Sequence, residues 1–301
     1  MQRIYNEDSP LFFQTNLGKL YIGQCEDIIS NQLLHKLEGQ VQLIFTSPPF
    51  PLNRKKKYDN LNGEEYIMWL ESLAPLFKNL LTETGSVVIE MGNAWERGSP
   101  VCSLLPLEAL IRFKQAGSFY LCQEFVYYNP ARLPAPIEWV NKKRIRVKDA
   151  FTKLWWFAKS NNPYADNRNV LVEYSERMKR LLNKSQYNSG KRPSEYVIGE
   201  KSFLTNNGGA IPSNVIVASN TSSRDPYLKY CRKNSLELHP ARMPREIPQF
   251  FINFLTKPGD IVIDPFAGSN TTGAVAEKYQ RQWISIEAEE KYASGSIGRF
   301  Q

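Results

Sequence analysis

Short apolar runs recur along the first half of the chain, separated by stretches of helical character. Lys19-Leu20-Tyr21-Ile22, Val41-Gln42-Leu43-Ile44-Phe45, Ser86-Val87-Val88-Ile89-Glu90 and Leu154-Trp155-Trp156-Phe157 read as strands, and residues 64–81 read as a helix. Apolar strands separated by helices predict a parallel sheet covered on both faces, because each crossover helix must return over the sheet. The rhythm fails between about 160 and 235, where Asn, Ser, Gly, Lys and Arg dominate and Asn206-Asn207-Gly208-Gly209 marks a loop. This texture fits an inserted, loop-rich module or a linker; Tyr174, Tyr187, Tyr196, Phe203 and Tyr227 within it argue for some packing. The α/β pattern resumes near 240. A helix over 248–255 precedes the turn Lys257-Pro258-Gly259-Asp260, the strand Ile261-Val262-Ile263, a helix over 272–279 and the strand Trp283-Ile284-Ser285-Ile286-Glu287.

Composition narrows the class. The 301 residues, 42% of them hydrophobic, suffice for one large α/β domain, alone or with a smaller module. Mean hydropathy is −0.43, and no apolar run approaches the roughly 18 residues that span a bilayer. The polar, acidic opening Met1-Gln2-Arg3-Ile4-Tyr5-Asn6-Glu7-Asp8 has no hydrophobic signal core, so a cytosolic protein is expected. Cys25, Cys102, Cys122 and Cys231 are scattered, and His35 and His239 stand apart, which argues against a disulfide framework or a metal site. The chemistry is left to carboxylates, hydroxyls, amides and an organic cofactor.

The net charge of +8 is concentrated. Residues 142–201 hold fifteen Lys and Arg against six Asp and Glu, and a second basic run, Arg54-Lys55-Lys56-Lys57, follows a proline pair. From charge alone, a nucleic-acid partner and a solvated basic face remain open.

The sharpest local signal is Ile261-Val262-Ile263-Asp264-Pro265-Phe266-Ala267-Gly268-Ser269-Asn270-Thr271-Thr272-Gly273. A buried strand ends in a carboxylate, a tight turn follows, and a helix opens on hydroxyls. Gly268 lets a ligand approach the main chain, and the free N–H groups of the helix start suit an anionic end such as an amino acid carboxylate. Glu287 stands 23 residues after Asp264, at the tip of the next strand, where an acid can accept both hydroxyls of a ribose. The plainer alternative is that Asp264 and the threonines cap a helix. Neither G-x-G-x-x-G nor G-K-[ST] is present, so a dinucleotide fold and an ATP P-loop fit poorly.

A second signal is Leu43-Ile44-Phe45-Thr46-Ser47-Pro48-Pro49-Phe50. The proline pair fixes φ and removes two N–H donors, which frees carbonyls to accept from a ligand, and the aromatic that follows can stack on a planar base.

Here a family resemblance enters. Thr46-Ser47-Pro48-Pro49-Phe50 resembles the S-P-P-[FY] motif of amino methyltransferases acting on DNA, and Asp264-Pro265-Phe266-Ala267-Gly268-Ser269 resembles their methyl-donor motif. The catalytic motif comes first, the permuted β-class order. Asn129-Pro130-Ala131-Arg132-Leu133-Pro134-Ala135-Pro136-Ile137-Glu138-Trp139-Val140, Arg144-Ile145-Arg146-Val147-Lys148-Asp149-Ala150 and His239-Pro240-Ala241-Arg242-Met243-Pro244 are similar to the PvuII-type cytosine-N4 enzymes. The likeness covers about 17–300 and is weakest over 160–235. One departure is Gln24, in Gly23-Gln24-Cys25-Glu26-Asp27, where members often carry an acid after the glycine.

The resemblance implies a class I, Rossmann-like S-adenosylmethionine-dependent fold, with a catalytic half over 1–160, a target-recognition insert over 161–235 and a methyl-donor half over 236–301. It implies Ser47, Pro48, Pro49, Phe50 and Glu90 as catalytic residues, and Asp264, Phe266, Ala267, Gly268, Ser269, Asn270, Thr271, Thr272 and Glu287 as donor-binding residues. Glu90, which ends the strand after the catalytic one, is either an acceptor or proton relay for the base amino group or a cofactor-facing carboxylate. Arg54, Lys55, Lys56, Arg144, Arg146, Lys179 and Arg180 are candidates for contacting double-stranded DNA. In the related families Ser before the proline pair goes mostly with cytosine, Asp or Asn with adenine, so cytosine N4 is the expected target in a flipped base. An adenine-N6 enzyme, a catalytically silent DNA-binding scaffold and an RNA methyltransferase are the rival readings. The expected setting is the bacterial cytoplasm, as a monomer without metal or membrane, with room for a cognate restriction endonuclease encoded alongside. One or both of Trp155 and Trp156 are expected in the core.

Overall fold

The computed structural model describes residues 10–50, 63–96, 98–184, 187–201, 203–220 and 225–301, together with the main chain of 2–3. The strands in chain order are β1 (Gln2–Arg3), β2 (Leu11–Gln14), β3 (Gly18–Ile22), β4 (Val41–Thr46), β5 (Leu81–Met91), β6 (Tyr120–Tyr128), β7 (Phe151–Ala158), β8 (Gly190–Lys191), β9 (Val197–Ile198), β10 (Val215–Val217), β11 (Ile261–Asp264) and β12 (Gln282–Glu287). The helices are α1 (Cys25–Ile28), α2 (Leu34–Leu37), α3 (Gly63–Leu80), α4 (Leu105–Ala116), α5 (Glu176–Leu182), α6 (Pro226–Lys233), α7 (Glu246–Leu255), α8 (Thr271–Lys278) and α9 (Glu290–Ser296).

Among the described residues, ten strands form one sheet in the order β1-β2-β3-β12-β11-β4-β5-β7-β6-β10. The centre, β3 through β5, is parallel throughout. β7 inserts antiparallel between β5 and β6. All six residues of β4 are buried, as a strand covered on both faces requires. The period of two then divides the core: Ile44, Val87, Ile89 and Ile263 pack on one face with Leu70 and Phe77 of α3 and Phe113 of α4. Leu43, Phe45, Val88 and Val262 pack on the other with Ile247, Phe251 and Leu255 of α7. Among the described residues no helix is long and apolar enough to cross a membrane.

The stretch expected as a target-recognition insert runs over 161–235. A compact unit spans 166–213, and the flanks belong to the main unit, 1–165 with 214–301. β10 pairs in parallel with β6 at the sheet edge, and Tyr227 and Cys231 of α6 pack so closely on Gly295 of α9 that a Cβ there would lie 2.5 Å from the Cys231 sulfur. Polar composition concealed both, because an edge strand of three residues and an amphipathic helix leave little apolar signal. The 166–213 unit has its own order. Ser175 caps α5 through Met178 N–H, β8 and β9 form a hairpin, Tyr187 and Phe203 meet edge to face at 5.4 Å, and the Tyr174 hydroxyl accepts from Asn207 N–H at 2.9 Å.

Candidate active site at the strand ends

Strand order reverses between β11 and β4, which places a crevice at their carboxyl ends, the position where open α/β sheets bind ligands. Both sequence signals arrive there. Asp264 ends β11 and Thr46 ends β4, and they are bonded: Thr46 Oγ1 donates to Asp264 Oδ1 at 2.8 Å. Thr272 Oγ1 donates to Oδ2 at 2.6 Å and Phe266 N–H to Oδ1 at 3.2 Å. Asp264 is 5% exposed, and burial, opposed by these donors, pushes its pKa up to about 6. Its carboxylate therefore braces the turn and ties the two signals together, while the helix cap that the plainer reading gave to Asp264 and the threonines is Asn270. Thr46 had been assigned no role.

The turn after β11 is held from β12. Ala267 N–H donates to Ile286 O at 2.8 Å, and Gly268 N–H donates to Glu287 Oε2 at 2.6 Å. Glu289 N–H donates to Glu287 Oε1 at 3.0 Å. Glu287, 9% exposed, is driven by burial up to about 7. Gly268 has φ +52°, and a Cβ on it would stand 3.0 Å from His239 Nε2, so this turn needs glycine on both counts. Asn270 is also left-handed, φ 53°. Its Oδ1 accepts from Gly273 N–H at 3.1 Å and Ser285 Oγ at 2.7 Å, capping α8, while its buried Nδ2 has no hydrogen-bond partner. Ser269 and Thr271 hydroxyls lie 3.3 Å apart. Asn270 and Thr272 thus spend side-chain hydrogen bonds on the turn itself; Phe266 packs at a tilt on Trp69, 5.4 Å between centroids.

Trp69, in turn, donates through Nε1 to Glu26, which also accepts from Cys25 Sγ at 3.3 Å. Gln24 is exposed and caps α1 with no side-chain bond. Glu26, two residues on, carries the buried-side carboxylate of this segment.

The His239 to Pro244 segment packs on the turn after β11. The His239 ring meets Tyr292 edge to face at 4.7 Å, and Met243 O accepts from Thr271 Oγ1 at 3.4 Å. Arg242 pairs with Asp225 at 3.5 Å. Asp225 also takes Arg299 at 3.0 Å, whose side chain is buried and donates Nε to Ser269 O at 2.6 Å and Nη2 to Ser269 Oγ at 3.1 Å. Arg299 escaped the sequence reading because a single cation near the chain end carries no periodic or motif signal. Replacing it with Met should lower stability by about 2 kcal/mol, because half-buried Asp225 is left with Arg242 alone and the Ser269 carbonyl loses its donor, read from the denaturation midpoint; an unchanged midpoint would refute this ion pair's weight.

Ser47 follows β4 half-buried, Pro48 is buried, and Pro49 and Phe50 are half-buried. Phe50 lies on Gly92, where a Cβ would approach its ring to 2.5 Å. Glu90, 7% exposed near the end of β5, accepts from Thr152 Oγ1 at 2.8 Å and is hydrogen-bonded to the Ser47 side chain. Burial raises its pKa; Thr152, Ser47 and the positive Arg132 oppose that rise. Ser47 and Glu90 are brought together as an adjacent hydroxyl and carboxylate.

The basic candidates divide. Arg54, Lys55 and Lys56 lie outside the described residues. Arg144 and Arg180 are exposed. Arg146 is used internally, donating to Pro100 O at 2.9 Å and pairing with Asp149 at 3.4 Å. Lys179 pairs with Glu173 at 2.6 Å and Glu176 at 2.9 Å. Trp156 is core, its Nε1 donating to Ser86 Oγ at 2.9 Å, whereas Trp155 is half-buried.

Comparison with known proteins agrees with this geometry. Residues 41–297 match the model of a family described as DNA methylase. The chain is 44% identical over 291 residues to the type II methyltransferase M.PvuII of Proteus hauseri, covering 96% of this chain and 85% of that one. It is 28% identical to the type II methyltransferase M.BglII of Bacillus subtilis, covering 95% and 71%. A solved structure of the PvuII DNA methyltransferase (cytosine-N4-specific) superposes with a TM-score of 0.77 at 38% identity, covering 98% of this chain and 90% of that one. With a switch-point crevice that joins a Ser-Pro-Pro-Phe strand end to a donor-type turn, and with these relatives, the chain belongs to the DNA methylase family.

Proposed function

We propose that this protein transfers a methyl group from S-adenosylmethionine to the exocyclic N4 amino group of a cytosine flipped out of duplex DNA, at one short recognition sequence. The observation that carries the reading is the pair of buried carboxylates and hydroxyls at one crevice: Glu90 with Ser47 on one side, and Asp264 with Thr46 bridging to the Glu287-held turn on the other. The likeness to a cytosine-N4-specific relative supports the choice of base.

The residues fit the donor. Glu287 keeps acceptor capacity on both oxygens for ribose hydroxyls, and the turn over 266–269 offers main chain beside an aromatic ring. When bound there, S-adenosylmethionine supplies an electrophilic sulfonium methyl. Toward the base, Ser47 Oγ and the Pro48 carbonyl accept the two amino hydrogens, which localises a nitrogen lone pair otherwise delocalised into the ring. Phe50 holds the ring flat, and the fixed proline backbone keeps the acceptors in line with the methyl. As nitrogen gains the methyl it must lose a proton. The N–H bond breaks toward Ser47 Oγ while the Ser47 hydroxyl proton passes to Glu90, whose raised pKa suits a proton acceptor.

The 166–213 unit is assigned target recognition, with exposed Arg180 among the residues meeting DNA; Arg144 is a further contact on the main unit. The protein works as a monomer in the bacterial cytoplasm and protects host DNA against a cognate restriction endonuclease. The test is single-molecule sequencing of DNA from a methylation-deficient bacterium expressing the protein. N4-methylcytosine in one short motif is expected. N6-methyladenine would overturn the base, and unmarked DNA would overturn the activity.

A further inference from the structure

Across the end of the sheet, polar side chains follow the strand order. Ser47 stands after β4, Glu90 on β5, Thr152 on β7 and Tyr127 on β6. Glu90 lies opposite Leu154, and Thr152 is two residues further along the same face of β7, directly opposite Tyr127. Thr152 is 3% exposed. A β-branched residue suits that strand position, but Val would serve the packing as well. A hydroxyl buried there without a partner would be unfavourable, and its partner is the carboxylate at 2.8 Å.

We infer that Thr152 is a positioning residue for methyl transfer: its hydroxyl holds the Glu90 carboxylate in the orientation that receives the proton relayed by Ser47. The inference rests on the proposed reaction. An ionised carboxylate only accepts, so the bond has Thr152 donating into Oε1. That bond fixes the carboxylate's rotation and favours its charged form. The other groups facing Glu90 are Ser47, the positive Arg132, and Tyr127, whose phenol is pushed up to about 12 by burial and by the Glu90 charge. Ser47 also hydrogen-bonds the carboxylate, and Thr152 is a donor to it at Oε1. In the step itself the amino N–H bond breaks, one proton moves to Ser47 Oγ, and the Ser47 proton moves to Glu90. Thr152 keeps its own proton throughout.

The test is single-turnover methyl transfer against pH, with donor and DNA prebound, for Thr152→Val, Thr152→Ser and Glu90→Gln. Removing the donor disfavours ionised Glu90, so the acid limb of Thr152→Val should move to higher pH by about one unit, with about a tenfold slower rate below it. Thr152→Ser should restore both. A merely structural threonine would lower the melting temperature and leave the limb in place; an unmoved limb overturns the proposal. If the valine variant is poorly folded, Thr152→Ala carries the same reading. A Glu90→Gln enzyme as fast as the native one would sink the proton acceptor itself, whereas an inactive Glu90→Gln with an unmoved valine limb would sink only Thr152.

Discussion

Glu90→Gln should slow methyl transfer by about 10²- to 10⁴-fold, the range spanned by a single general base. The amide keeps the size of the side chain and can still accept from Thr152, so the packing around it changes little. What it loses is the ability to take a proton. Glu90 is on β5, while the donor turn is built from the segments that follow β11 and β12. Donor affinity measured by calorimetry should therefore stay at the native value while the single-turnover rate falls. A weakened donor affinity with an unaltered rate would reverse the assignment and make Glu90 a cofactor-facing carboxylate, the other role open to it from the sequence.

The second large effect is expected at Glu287. Glu287→Gln should weaken donor binding by about 10- to 100-fold, because hydrogen bonds to a charged acceptor are stronger than neutral ones. The native enzyme should show a related pH dependence. Its Glu287 is held up to about 7 by burial, so donor binding tightens as pH rises through neutrality and the carboxylate ionises. The effect on stability has the opposite sign. The folded protein retains this proton at pH values where the unfolded chain has released it. Unfolding then releases a proton, and the stability of the donor-free protein falls as pH rises from about 4.5 to about 7. Glu287→Gln removes that pH-dependent loss, although its amide leaves one of the Gly268 and Glu289 N–H groups without an acceptor, so the variant's melting temperature without donor should fall less between pH 5 and pH 8 than the native protein's and gain less when donor is added. An equal fall in melting temperature between pH 5 and pH 8 together with equal donor affinities would contradict both halves.

Much of the fold was legible along the chain. The runs at 41–45, 86–90 and 154–157 lie inside β4, β5 and β7, and the helices anticipated over 64–81, 248–255 and 272–279 match α3, α7 and α8 closely. These segments are continuous, apolar and long, so burial on both sheet faces leaves an unmistakable pattern. β2, β10 and α6 were not anticipated. β2 and β10 span only four and three residues and α6 eight, too few to establish a period along the chain. At the site, Asp264, Gly268, Glu287, Ser47 and Glu90 stood out because each occupies a strand end or a turn whose backbone requires it. Thr46, Thr152, Asp225 and Arg299 did not, since their side chains matter only through partners elsewhere in the chain.

By itself the sequence determined the local chemistry: which strands are buried, where a turn demands glycine, where two prolines bare a carbonyl, and where carboxylates end strands. Those are properties of a few consecutive residues and their backbone angles. Tertiary structure decided which of these groups meet. Thr46 reaches Asp264 across 218 residues, Glu90 reaches Thr152 across 62, and Arg299 reaches Asp225 across 74. Strand order, not sequence spacing, sets such contacts: β4 lies between β11 and β5 only because the sheet closes in that order. The burial that follows then raises the carboxylates' pKa values and makes each hydrogen bond count.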